Sequence, residues 1–320
     1  MDDEYKDKIF STIQKFLKNP PVIIWGSGAT VSYGLTTMSD LNNELKNVID
    51  CFNPSDENLE IELGKPEYDK KMPEIRKAIW NSVNKADQSV RIKLTNSEYS
   101  VFDPIKDMIK KIQSAHPQVV NVVTTNYDRV LEHVLGFYDI PFTDGFGSHE
   151  FNQFNNNLFL TSNMINIIKV HGSLNWFRID GSVRNLLTDY ENTEPVIISP
   201  GKNKFREAYN SPYRDLIQKS DNLIINASSL FVVGFGFNDE HLTPKIKEKV
   251  NSGTPLVLIT KEVTDSCREE LEAAQKYVLL QANDRTGQTL VSLKSGKNDS
   301  EEKLVIDGDY WQLSSFMEVL

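Results

Sequence analysis

Cysteine is nearly absent from this chain. Its 320 residues include only Cys51 and Cys267, so neither a four-thiolate zinc site nor a disulfide framework can be assembled, as suits a reducing compartment. Long apolar runs are missing too. No stretch approaches the roughly 20 residues needed to span a bilayer, and the charged start MDDEYKDKIF lacks the apolar core of a secretory signal. A cytoplasmic protein with no membrane role is expected. Basic charge is also in deficit: 35 Lys and Arg stand against 45 Asp and Glu, for a net charge of −10. Such a balance repels a phosphate backbone and speaks against direct nucleic-acid binding. What is present is core material. At 39% hydrophobic and 10% aromatic the chain is too rich for a disordered protein, and its length suits one large domain or two ordinary ones.

Ile9, Ile13, Phe16 and Leu17 share one face at helical spacing, which predicts a helix over the first eighteen residues, ending before Pro20 and Pro21. The period then changes. Val22 to Trp25 is a short, continuously apolar run stopped by glycine, the pattern of a strand covered on both faces of a parallel sheet. Similar runs follow at Val119 to Val123, Ile165 to Val170, Val196 to Ile198, Leu230 to Val233, Leu256 to Ile259 and Tyr277 to Leu280. Between them, helical patterns cover Met38 to Ile49, Asp103 to Ile112, Tyr127 to Leu135, Tyr213 to Ile225, His241 to Val250 and Ser266 to Ala274. The alternation predicts an α/β fold, a Rossmann-like doubly wound parallel sheet, with its ligand site beyond the carboxyl ends of the strands. Two regions break the rhythm. Cys51 to Ser100 is charged and mostly helical, the bulk of an inserted helical subdomain over about 51–115, whereas Phe137 to Asn163 reads either as a surface loop or as a lid. Thr289 to Leu293 and Lys303 to Ile306 flank the turn-rich SGKNDSEE as a hairpin, followed by a tail with Tyr310, Trp311 and Phe316.

Four strand ends carry glycine or polar residues. After the first strand come Gly26, Ser27, Gly28, Ala29 and Thr30, then Gly34, ahead of the helix near Met38. Such a turn lets backbone N–H groups approach a pyrophosphate, but it serves equally as a structural turn. It is neither a G-x-G-x-x-G fingerprint, since Val31 stands at the third glycine, nor a P-loop. The second strand runs into Thr125, Asn126, Tyr127 and Asp128, where Thr125 or Asn126 either caps the next helix or faces a ligand. Ile165 to Val170 ends in His171 and Gly172, which places a solvent-reaching acid or base. Leu230 to Val233 ends in Gly234, Phe235, Gly236, Phe237, Asn238 and Asp239. The four ends point to one crevice. Trp25, Trp176 and Phe177 are read as packing, with base stacking by Trp176 and Phe177 as the other option. His116, His133, His149 and His241 lack metal-ligand spacing and are read as structural or exposed, and Lys70 to Arg76 as a solvated helix face.

Taken together the four strand ends resemble the sirtuin family, over most of the chain from about Pro21 to Ile259. Gly26, Gly28 and Gly34 match the family's glycines at the first, third and ninth positions of its turn; Thr125-Asn126-Tyr127-Asp128 matches its glutamine-asparagine-x-aspartate motif; His171-Gly172 matches its catalytic histidine-glycine; and the stretch from Gly234 matches its late glycine-threonine-serine turn. Departures are equally clear. The cysteine-held zinc ribbon that follows the catalytic histidine in protein deacylases has only Cys267 to draw on, and Met38 and Ser39 stand where a phenylalanine-arginine pair is usual. The wording TTNYD, KVHGSLNW and VGFGFNDEH is similar instead to the zinc-free bacterial branch, whose characterised members are NAD-degrading effectors of anti-phage defence.

This resemblance implies a sirtuin-like NAD-binding catalytic domain over 21–285, between an N-terminal helix over 1–20 and a C-terminal hairpin and tail over 286–320. It implies NAD as substrate, no zinc or other metal, and cleavage of NAD to nicotinamide and ADP-ribose as an abortive-infection device. Gly26, Ser27, Gly28, Ala29, Thr30, Gly34 and Thr125 would line the pyrophosphate side, and Gly234, Gly236 and Asn238 the adenosine half. Asn126, Asp128 and His171 would carry the chemistry. A homo-oligomer is expected, together with a separate partner such as a HerA-type hexameric ATPase or an Argonaute. NAD-dependent deacylation or ADP-ribosyl transfer is the alternative enzyme, and a non-catalytic NAD or nucleotide sensor is the alternative outside catalysis.

Overall fold

A computed structural model describes residues 2–49, 52, 59–187, 194–200 and 209–320. Its twelve strands are β1 (Val22–Trp25), β2 (Val119–Thr124), β3 (Phe142–Thr143), β4 (Met164–Lys169), β5 (Gly172–Ile179), β6 (Ser182–Asn185), β7 (Glu194–Ile197), β8 (Leu230–Val233), β9 (Leu256–Thr260), β10 (Tyr277–Ala282), β11 (Gln288–Lys294) and β12 (Glu302–Asp307). Nine form one sheet in the order β12-β11-β10-β9-β8-β1-β2-β4-β3, parallel except where β11 and β12 add an antiparallel edge. Chain order runs outward from β1 in both directions. The carboxyl ends of β1, β2 and β8 therefore flank the topological switch point, where a doubly wound sheet opens a crevice.

The apolar runs are continuous because alternate residues serve two cores. Ile23 and Trp25 pack on one face of the sheet with Ile9, Ile105 and Phe231, while Val22 and Ile24 pack on the other with Leu216, Ile246 and Leu271. Ile23 and Ile24 are fully buried, each worth about 1.5–3 kcal/mol of transfer free energy. The fold is thus the expected Rossmann-like α/β sheet, doubly wound, with helices inserted between β1 and β2. Those helices include Met38–Val48, Met72–Thr95 and Asp103–Gln113. Leu41, Leu45, Ile75 and Ile79 among them make a third core with Leu174 and Ile197 of β5 and β7. Cys51 and residues 53–58, at the start of the charged stretch, lie outside the described residues.

Several local expectations are corrected. Val196 to Ile198 does not join the parallel sheet; β7 pairs antiparallel with β5 in a separate three-stranded sheet, order β6-β5-β7. A four-residue apolar run cannot name its sheet, and Pro195 is tolerated there because β7 is an edge strand. The glycine turn leads first into a short helix, Gly28–Val31, before the helix that Thr37 and Asp40 start with a capping box. The helix expected from Tyr127 begins only at Val130 and runs to Phe137. Residues 125–129 stay non-helical because their polar groups are engaged elsewhere. The expected hairpin is β11 and β12, but the tail after it folds back: Phe316 stacks on Phe231 with centroids 5.0 Å apart, and Tyr310 meets Phe10 edge-on at 5.1 Å.

Asp144, at the end of β3, is buried and accepts from Phe146 N at 3.1 Å and Trp176 Nε1 at 3.3 Å. Burial pushes its carboxyl from 3.8 up to about 6. Because the folded state prefers the protonated form, stability falls as pH rises from about 4 to about 6 and is level above that. Two units correspond to about 3 kcal/mol. Urea unfolding of wild type and Asp144→Asn across this range should therefore show wild type losing ground to the variant as pH rises. A difference that does not change with pH contradicts the assignment.

Candidate active site

The turns after β1 and β8 interlock through their backbones. Gly26 N donates to Val233 O and Gly28 N to Gly234 O, both at 2.9 Å. A Cβ on Gly26 would sit 2.3 Å from Gly234 O, and one on Gly234 would sit 2.2 Å from Ala29 N. Gly234 also has φ +58°, a left-handed conformation that side chains disfavour. These glycines thus have a structural reason for being glycine, namely the close passage of one turn over the other. Together the two turns present a wall of bare backbone.

Beside this wall stands the end of β2. Thr124 Oγ1 donates to Trp25 O at 2.6 Å and accepts from Asn126 N at 3.0 Å, while Asn126 Nδ2 donates to Gly26 O at 3.1 Å. The amide of Asn126 is therefore tied to the glycine turn and does not cap a helix. Asp128 takes that local duty, accepting from Val130 N at 3.2 Å through Oδ1 and from Thr30 Oγ1 at 3.4 Å through Oδ2. Burial raises its carboxyl to about 6, against the opposing charge of Lys169 and with help from Asp87 and Glu132.

Beneath the loop lies a buried charge cluster. Asp87, on helix Met72–Thr95, accepts from Arg129 N at 2.6 Å, Arg129 Nη2 at 2.9 Å and His133 Nε2 at 2.9 Å. Burial alone would raise the Asp87 carboxyl, but the hydrogen bond and charge of His133 and the charge of Arg129 outweigh it and hold it well below the usual range. From β4, Lys169 reaches Asp128 O and, at 2.8 Å, Glu132 Oε1. A charge buried like this survives only with partners. The inserted helix thereby fixes the backbone that carries Asn126 and Asp128.

His171 follows β4 and is nearly buried, with Ile198 N donating to its carbonyl at 2.9 Å. Its Nε2 lies 3.1 Å from Asp239 Oδ2 and 3.2 Å from His241 Nδ1, both on the β8 turn. Asp239 Oδ1 accepts from His241 N at 3.1 Å and Leu242 N at 3.0 Å. The donor atoms of His171, Asp239 and His241 all lie within 4.8 Å of one another, a spacing found in hydrogen-bonded clusters and in three-ligand metal centres alike.

A cavity of about 900 Å³ opens over these groups. Ser27, Gly28, Ala29, Thr30, Thr125, Asn126, Asp128, His171, Gly234, Gly236 and Asn238 line it, so the structure brings together nearly every residue singled out in the sequence. Gly26 and Gly34 are not among the lining residues. Gly26 lies under the turn, and Gly34, at φ +98°, closes the segment after the short helix next to Lys93, whose Nζ bonds Tyr33 O at 2.9 Å. The reading of His241 as structural or exposed is corrected: it faces His171. His133, read the same way, is partnered by Asp87. Trp25, Trp176 and Phe177 are buried packing.

Other residues were not anticipated. Asp239 and His241 were visible only as the tip of a glycine turn, and the D-x-H spacing was the available signal. Asp87 sits in the apolar register of Ile79, Val83, Val90 and Leu94, where an acidic residue is out of place. Trp311, Gln312, Leu313 and Ser314 also line the cavity, although no local pattern assigns the tail to it.

The fold and the site define a doubly wound α/β protein with a polar, partly titratable crevice at its switch point. A family model for the SIR2-like domain matches residues 120–289, more than half of the chain, and the chain belongs to that family. Solved structures similar to it include a sirtuin studied for substrate affinity, at 13% identity over 82% of this chain and 96% of that one with a TM-score of 0.45. A Sir2 homolog crystallised with NAD shares 17% identity over 85% and 87% of the two chains, with a TM-score of 0.44. No curated protein matches. Among the described residues no helix is long and apolar enough to cross a membrane.

Proposed function

We propose that the chain is an NAD glycohydrolase that splits NAD into nicotinamide and ADP-ribose. Membership in the SIR2-like family supports an NAD-dependent enzyme. The observation that carries the reading is the meeting of Asn126 and His171, from neighbouring strands, in a cavity walled by two interlocked glycine turns. Its size falls within the roughly 300–1,000 Å³ of small-molecule sites.

In this reading the backbone around Ser27 to Thr30 borders the pyrophosphate, and Gly234, Gly236 and Asn238 border the adenosine half. The bond from ribose to nicotinamide breaks with its electron pair passing to the ring nitrogen, which neutralises the cationic nicotinamide. Little acid catalysis is needed at that end. Water attacks the anomeric carbon from the other face, positioned by Asn126, and His171 accepts the released proton directly or through a ribose hydroxyl. Asp128, joined to Thr30, keeps the loop and the turn in register. Depletion of NAD by such an enzyme would kill the producing cell, which suits a role in abortive anti-phage defence. It also calls for gating by self-association or by a partner such as a HerA-type ATPase or an Argonaute.

Incubating the full chain with NAD, with and without an acetylated peptide, tests the reading. Nicotinamide and ADP-ribose in both reactions are expected. Peptide-dependent O-acetyl-ADP-ribose points to deacylation, a modified protein to ADP-ribosyl transfer, and NAD binding without turnover to a sensor.

A further inference from the structure

We infer that Asp239 is a positioning residue that holds the His171 proton on Nε2, leaving Nδ1 as the ring atom that accepts the proton released in the reaction, with His241 as the second acceptor at Nε2. The inference builds on the reading of His171 as proton acceptor, but the placement of its proton can be tested without turnover.

The argument is one of donors and acceptors. A carboxylate only accepts hydrogen bonds, and a neutral imidazole carries one N–H and one lone pair. Asp239 Oδ2 lies 3.1 Å from His171 Nε2, so the contact requires the proton at that nitrogen. Two backbone N–H groups, from His241 and Leu242, donate to the other oxygen of Asp239. They favour the ionised carboxyl and fix its rotation. His241 Nδ1 approaches the same His171 nitrogen at 3.2 Å, with the rings at 80° to one another. Facing an N–H, this atom acts as acceptor, which puts the proton of His241 on its own Nε2.

The arrangement balances when His171 works. Once Nδ1 has taken a proton the ring is an imidazolium, and it lies against the Asp239 carboxylate and the lone pair of His241, with no second cation between them. Both His171 and Asp239 are buried, so the opposite charge is felt strongly. The division of labour resembles an Asp-His pair in which the acid sets the tautomer and stays ionised. Nothing in the general chemistry of NAD cleavage demands it. It follows from D-x-H on the β8 turn facing the end of β4.

The experiment is nitrogen NMR on the full chain with 15N-labelled histidine rings, the His171 signals being assigned by their loss in His171→Gln. Wild type is expected to show His171 protonated at Nε2 and bare at Nδ1 near neutral pH. Asp239→Asn, which keeps the side-chain shape, should lose this single tautomer while its melting curve stays close to wild type. In the NAD assay its kcat should fall about 100- to 10,000-fold with little change in KM, and Asp239→Glu should recover part of the loss. A proton on Nδ1 in wild type overturns the inference, as does an unchanged tautomer in Asp239→Asn. So does a stoichiometric transition metal whose Co²⁺ absorption disappears in His241→Ala, because the three residues would then be metal ligands. If the tautomer behaves as expected while no variant and no wild type cleaves NAD, the positioning role stands and the glycohydrolase reading fails.

Discussion

His171→Ala and Asn126→Ala each remove nearly all NAD cleavage. For His171 the expected loss in kcat is about 100- to 10,000-fold, the usual worth of a positioned general base, with KM little altered because the imidazole acts on a proton developed during bond breaking. The fold should survive. His171 borders the cavity, and its backbone hydrogen bond from Ile198 does not depend on the side chain. Asn126→Ala gives up the bond to Gly26 O, so it loosens the tie between the β2 end and the glycine turn as well as removing the amide that meets water. A comparable loss of turnover is expected, together with a measurable rise in KM. Steady-state kinetics with circular dichroism on both variants checks this, and wild-type rates from either would contradict its assigned role.

Gly234→Ala should have the largest effect on the structure itself. The new methyl would meet Ala29 N at 2.2 Å and Gly28 C at 2.4 Å, both backbone, at a residue with φ +58°. Neither neighbour can swing aside as a side-chain tip can. Overpacking and left-handed strain together predict a loss of about 2–4 kcal/mol and disruption of the wall shared by the two turns, so NAD affinity should fall with stability. Gly26→Ala belongs to the same class, with its methyl 2.3 Å from Gly234 O. Gly136→Ala is the control: it lies in helix Val130–Phe137 with open space around it, and a gain of up to about 1 kcal/mol is expected. Equal stability for Gly234→Ala and Gly136→Ala would show that the turns do not depend on their contact.

The main sheet was largely legible because a strand buried on both faces has to be apolar throughout, as in Ile23, Ile24, Val232 and Leu258. The strand ends could be read for a related reason, since polar residues that interrupt such runs lie beyond the carboxyl edge. Long-range partnership was hidden. Local spacing shows Asp87 as one acid among many on a charged helix, and only the fold reveals Arg129 and His133 around it. Pro195 to Ile197 looked like any other apolar run until pairing with β5 assigned it to the smaller sheet. The reason for the glycines was likewise tertiary. Gly26 and Gly234 are far apart in sequence, and neither explains itself without the other.

The glycohydrolase account is tested most directly by measuring nicotinamide and ADP-ribose released from NAD by the full chain without peptide, over protein concentrations from dilute to concentrated. The account predicts the two products in equal amounts, with specific activity rising as the chain self-associates, and no products from His171→Ala. Bound NAD with no nicotinamide at any concentration, or nicotinamide release only when an acyl peptide is added, would contradict it.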